Sequence, residues 1–214
     1  MSRFSGLRFT PAVRCRLWVA SLAVLLAACQ SSVSVTTTTT RAAQVTNPKA
    51  LLLTLNEMPV GWNSEGIYGS GGASPCDFRT TLAHAAIATA QSNFVDSATW
   101  SEELFVEPPR QAEAIIVTAM RELDGCHKYV LAASGVSMVM GSPVRFPRVG
   151  DVSTAVPFRV SVDGVVVSEE LLTARFGNID GSFAYIGASA DITSFDRLVG
   201  KASAKILDAL RRPE

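Results

Sequence analysis

Few residues in this chain have the type and spacing to do chemistry. They are four cysteines, two histidines and a scatter of aspartates near turns. Cys29 closes the run Leu26-Ala27-Ala28-Cys29. A small residue directly before a cysteine lets a signal peptidase approach the scissile bond. The thiol is the nucleophile that accepts a diacylglyceryl group, and cleavage then frees the cysteine's amino group. The run therefore reads as a lipobox with Cys29 as the lipidation site. The alternative is an ordinary signal-peptide junction, and Leu26 fits the small-x-small pattern of such junctions poorly. Cys15 lies in the leader and is lost with it. Cys76 and Cys126 remain, an even pair in an oxidising compartment, and are expected to form a disulfide. The loop it closes is about 50 residues, for which chain entropy gives ~4 kcal/mol.

The other reactive residues carry weaker signals. His84 and His127 have no second ligand at a metal-binding spacing, and no Cys-x-x-Cys is present. No metal site and no cofactor are expected. Gly-x-Ser-x-Gly, the elbow of many serine hydrolases, is absent. Gly69-Ser70-Gly71-Gly72 reads as a loop leading to Cys76 rather than a catalytic turn. Asp151, Asp163, Asp180 and Asp191 each fall near a predicted turn, where Asp usually bonds the local backbone. Trp62, Trp100, Tyr129 and Tyr185 could line a pocket or fill a core. No phosphate loop, dinucleotide fingerprint or calcium loop appears.

The segments around Cys29 define the organisation. All charges before it are arginines (Arg3, Arg8, Arg14, Arg16), and Leu17–Ala28 is an apolar run of 12 residues. A bilayer span needs about 20, so residues 1–28 read as a signal peptide. Residues 29–47 follow as the lipidated cysteine and a Ser/Thr-rich tether containing Thr36–Thr40. This segment is too polar to order itself and reaches ~20–25 Å as a coil. It is either a bare linker or a site of O-glycosylation. Beyond the leader 15 basic residues face 19 acidic ones, a charge of −4, which argues against a nucleic-acid partner.

Residues 48–214 are long enough for one domain burying roughly 70% of its unfolded surface. Asn47-Pro48 caps a predicted helix Lys49–Glu57, stopped by Pro59. Residues 62–68 suit a short strand. Residues 83–95 mix helical alanines with a strand-like end, and a hairpin turns at Asp96-Ser97. Pro108–Leu123 shows one apolar stripe at helical spacing and ends at Gly125, expected in a left-handed cap. A strand is expected in residues 135–140. A meander follows: Val156–Val162, a turn at Asp163-Gly164, a strand 165–176, a turn at Gly177-Asn178 or Asp180-Gly181, and a strand 182–188. Pro157 implies an edge or a bulge. Thr193-x-x-Asp196 resembles a capping box before a last amphipathic helix. The expectation is an α+β domain, an antiparallel sheet with helices packed on one face.

Several short motifs combine in a familiar way. They are the lipobox and tether, Leu52, Leu55, Met58-Pro59 and Gly61-Trp62, the helix ending at Cys126, Val149-Gly150-Asp151, and Arg175-Phe176-Gly177-Asn178. This arrangement resembles mycobacterial and actinobacterial envelope lipoproteins related to the extracellular sensor domain of the PknH-type receptor kinases. The resemblance covers most of residues 48–214. It implies a curved antiparallel sheet beside helices, a cleft and structural disulfides, of which this chain can supply one where the kinase sensor has two. It carries no catalytic residues across. The expected protein is a non-enzymatic, sensor-like lipoprotein on the extracytoplasmic face of the cell membrane, held there through the lipid on Cys29. Its partner would be a small hydrophobic or glycan ligand or an envelope protein. An envelope hydrolase with an untypical site and a surface adhesion protein are the alternatives.

Overall fold

Alternation of apolar and polar residues, punctuated by two-residue turns, builds most of the domain as one antiparallel meander. The computed structural model describes residues 47–65, 78–131, 136–141, 145–162, 164–189 and 191–212. Cys29, the tether, Cys76 and Ser70 lie outside them. Eight strands form the sheet: β1 (Asn63–Glu65), β2 (Ala88–Val95), β3 (Ala98–Val106), β4 (Lys128–Leu131), β5 (Val136–Met140), β6 (Val152–Val162), β7 (Val165–Phe176) and β8 (Ile179–Gly187). Their order is β1-β2-β3-β8-β7-β6-β5-β4, all neighbours antiparallel. The helices are α1 (Phe78–Ala85), α2 (Ala112–Asp124) and α3 (Ile192–Arg211).

Strand parity sorts the core into two layers. On the first face Trp100, Leu104, Leu172, Phe176 and Phe183 pack against Phe195, Leu198, Val199 and Ile206 of α3 and against Leu51–Leu53. On the second, Phe105, Val156, Phe158, Leu171 and Ala184 pack against Phe78 and Leu82 of α1 and Ile116, Ala119 and Leu123 of α2. The α+β class and antiparallel sheet match expectation, but the helices cover both faces instead of one. The amphipathic stripes of α2 and α3 say that each buries one side. They do not say on which side of the sheet.

Local differences have local causes. The predicted helix Lys49–Glu57 is two short 3-10 turns, Pro48–Leu51 and Leu55–Glu57, which lets the consecutive Leu51, Leu52 and Leu53 all be buried. Asn47 caps the first turn by accepting from the Lys49 amide at 3.2 Å. Residues 83–95 split into the end of α1 and β2. α2 starts at Ala112, because Pro108 opens a turn whose carbonyl accepts from the Gln111 and Ala112 amides. Gly125 has φ −76°, a right-handed cap and not the left-handed one expected. The second meander turn is Gly177-Asn178, and Asp180-Gly181 lies inside β8. The cap of α3 is Asp191, accepting from the Ser194 amide at 3.0 Å, in place of the Thr193-x-x-Asp196 box. Residues 135–140 do contain a strand, and β4 pairs with it.

The stripe of α2 gives a direct test. Ile116 is fully buried and Arg121 is exposed. Ile116→Ala should cost ~2–5 kcal/mol, and Arg121→Ala should stay within about 0.5 kcal/mol, both by urea unfolding. The reverse order would mean that the helix face is wrong.

Candidate ligand groove and the buried acids

Strand β5 pairs with β6 only from Ser137↔Ser161 to Met140↔Phe158, while β6 continues alongside β7 to Val152. Pro157 stands at the point where that ladder stops. Its missing N–H therefore costs no bond to β5, and its carbonyl accepts from the Gly141 amide at 2.8 Å. The edge position read from Pro157 is thus real but local.

Here the first face carries a groove of ≈ 420 Å³, within the ~300–1,000 Å³ range of small-molecule sites. Register and parity put Val139, Pro157, Arg159, Ser168 and Glu170 on this face. Glu170, directly opposite Pro157 and Tyr185, is only 5% exposed, and burial pushes its carboxyl above the ordinary glutamate range. Arg159 is exposed and belongs to none of the ion pairs among the described residues.

Two further groups of acids are enclosed. Glu102 on β3 points into the first-face core, where its Oε2 accepts from the Leu53 amide at 3.0 Å. Burial pushes it up to about 7, against the opposing pull of that amide and of Lys205. Lys205 donates to the Leu52 carbonyl at 2.7 Å and to Glu57 Oε2 at 2.8 Å, and Lys201 donates to the Glu57 carbonyl. Partial burial would raise Glu57, but hydrogen bonds from Lys205 and Thr54 outweigh it and hold the carboxyl at about 2. This network clamps residues 48–57 onto α3 and β3.

On the second face, Glu107 and Asp180 are fully buried, and all four of their carboxyl oxygens lack a hydrogen-bond partner among the described residues. Burial pushes Glu107 up to about 7. Burial, then the neighbouring Glu107, pushes Asp180 up to about 8, with Arg175 opposing. Arg175, opposite Asp180 in register, leans instead toward Asp151 (3.7 Å) and Glu113 (4.0 Å). These carboxyls are sealed from solvent, and their chemistry here is titration.

The residues singled out in the sequence disperse. His84 and His127 are both exposed, at the end of α1 and after α2. Cys126 is buried and disulfide-bonded; Cys76, its expected partner, is outside the described residues. Asp151 accepts from the Gly177 amide, Asp191 caps α3, Asp180 is in the buried pair, and Asp163 is not described. Trp100 is core, and Trp62 packs near Tyr185 at 6.4 Å between ring centroids. Among the described residues no group of three or more His, Cys, Asp or Glu could hold a metal. None of the groove residues was a sequence candidate. The available signal was Glu169-Glu170 in the middle of an otherwise apolar strand, which puts one carboxyl on each face.

No family model matches the sequence, and no curated sequence matches it. A solved structure does: the extracellular domain of PknH from Mycobacterium tuberculosis, with TM-score 0.58 and 13% identity over 75% of this chain and 93% of that one. The fold is shared. At this identity the likeness extends to architecture and not to residues. CalU16 from Micromonospora echinospora aligns at TM-score 0.29 and 10% identity, over 57% of this chain and 85% of that one. That value is too low to carry an argument. The α+β architecture expected from the PknH-type resemblance therefore has a structural counterpart.

Proposed function

We propose that this chain is a lipid-anchored extracytoplasmic lipoprotein whose domain binds a small ligand in the β5–β6–β7 groove, in a sensor-like and non-catalytic role. The groove is the observation that carries this reading, since it joins an apolar floor to an unpaired arginine and a buried carboxyl. The fold shared with an extracellular domain supports the compartment, as do the basic leader, the apolar run and Leu26-Ala27-Ala28-Cys29. No described helix is long and apolar enough to cross a membrane.

Native mass spectrometry of the protein extracted from its own envelope should show a co-purifying small molecule. Ser168→Trp, which fills the groove, should remove it. A bare mass for both proteins would overturn the binding reading. Cys29→Ala should abolish lipid labelling and leave unprocessed precursor, and continued labelling would sink the anchor.

A further inference from the structure

We propose that the groove selects ligands bearing a carboxylate on an apolar body, with the carboxylate held by Arg159, Ser168 and Glu170. The inference rests on the groove being the ligand site and specifies what it takes. Arg159 and Ser168 face each other in register across β6 and β7, and Glu170 lies two residues along β7 on the same face. The three polar groups thus form one compact patch beside Val139 and Pro157.

The key residue is Glu170. It is 5% exposed and lines the groove, and burial pushes its carboxyl above the ordinary glutamate range. Arg159, close by on the next strand, forms no ion pair with it. Burial favours the protonated form of a carboxyl that lacks a cation beside it, and in that form Glu170 presents an O–H to the groove. Ser168 presents a second hydroxyl and Arg159 a planar fork of N–H groups. A carboxylate has two oxygens with about four acceptor positions. It can take the arginine fork and still accept from both hydroxyls, and such charge-assisted bonds are the strong ones.

Other heads fit less well. An amine would meet the Arg159 charge and would need Glu170 ionised in place without supporting donors. A phosphate dianion calls for more positive charge than one arginine, and among the described residues no other cation lines the groove. A sugar would look for an aromatic face, but Phe158 belongs to the core cluster on the opposite side of the sheet. The apolar lining on this face, Val139 and Pro157, suits an alkyl or alicyclic body.

The test uses three probes with the same tail and different heads: octanoate, octanamide and octylamine, titrated calorimetrically into the full chain. Octanoate should bind at least tenfold more tightly than octanamide, and octylamine more weakly still. Arg159→Ala should weaken octanoate tenfold or more and leave octanamide unchanged. Glu170→Gln retains a donor and should stay within threefold of the parent, while Glu170→Leu should lose about tenfold. Urea unfolding of each variant confirms that it is folded. Equal binding of the three probes, blocked by Ser168→Trp, would overturn the head-group selection and leave the groove as a ligand site. A preference for octylamine would overturn it by showing Glu170 ionised. Absence of octanoate binding overturns it as well, and if the co-purifying molecule is also absent, the groove reading falls with it.

Discussion

Gly150→Ala should destabilise the domain by roughly 4 kcal/mol or more, seen as a fall in the urea midpoint at constant slope. Gly150 has φ +64°, where an L side chain is strained by ~1–3 kcal/mol. The larger part comes from its neighbours. An added Cβ would lie 2.1 Å from the Arg175 carbonyl oxygen, 3.0 Å from its carbon and 3.1 Å from Phe176 Cδ1. The nearest atoms are backbone, so no flexible tip can swing aside. That carbonyl also accepts from the Asp151 amide at 2.7 Å, and Asp151 Oδ2 accepts from the Gly177 amide at 2.7 Å. Moving residue 150 therefore loosens the β7–β8 turn as well. Gly164→Ala is the internal control: its φ is +82°, but nothing lies within 4 Å of the added atom. It should cost about 1 kcal/mol. Equal losses at the two positions would refute the close approach.

Stability should fall as pH rises from 5 to 8.5. Glu102 and Glu107 sit near 7 and Asp180 near 8 in the folded chain, against ordinary values of 4.5, 4.5 and 3.8. The native state therefore binds more protons than the unfolded one between about pH 4 and pH 8. Their contribution is complete below the unfolded values and is lost as pH climbs through the folded ones. For Glu102 alone the shift corresponds to about 3 kcal/mol. Glu107 and Asp180 titrate as a pair and act in the same direction. Glu57, held near 2, works the other way: its contribution is present above about 4.5 and goes only as pH falls through 2. The optimum thus lies near pH 5. Urea unfolding at pH 5 and 8.5 should differ by on the order of 3 kcal/mol or more, and Asp180→Asn should flatten the slope. Greater stability at pH 8.5 than at pH 5 would mean that these carboxyls are ionised in the fold.

How much of this was readable in the residues depended on whether the signal was local. The hairpin at Asp96-Ser97 and the stripes of α2 and α3 were legible because turn chemistry and helical spacing act over a few residues. Helix α1 was not, since its apolar content is Phe78 and Leu82, one repeat in eight residues. The division of helices between two faces was hidden by β8. A strand covered on both sides usually reads as an unbroken apolar run, and this one carries Asp180 and Ser182, both buried. Asp180 looked like a turn residue for the same reason, because burial of a carboxylate is decided by elements far away in sequence. The groove lies beside the Met140↔Phe158 end of the described β5–β6 pairing, a matter of register between distant segments, and only Pro157 hinted at it.

The clamp on residues 48–57 has a mechanical side. Tension on the chain ahead of residue 47 is delivered first to Leu51–Leu53 and to the bonds joining them to Glu102 and Lys205. These few contacts are loaded before any strand-to-strand ladder is. A pull from the N-terminal side would peel this segment away, exposing Glu102 and one side of α3, and leave the eight-stranded sheet intact.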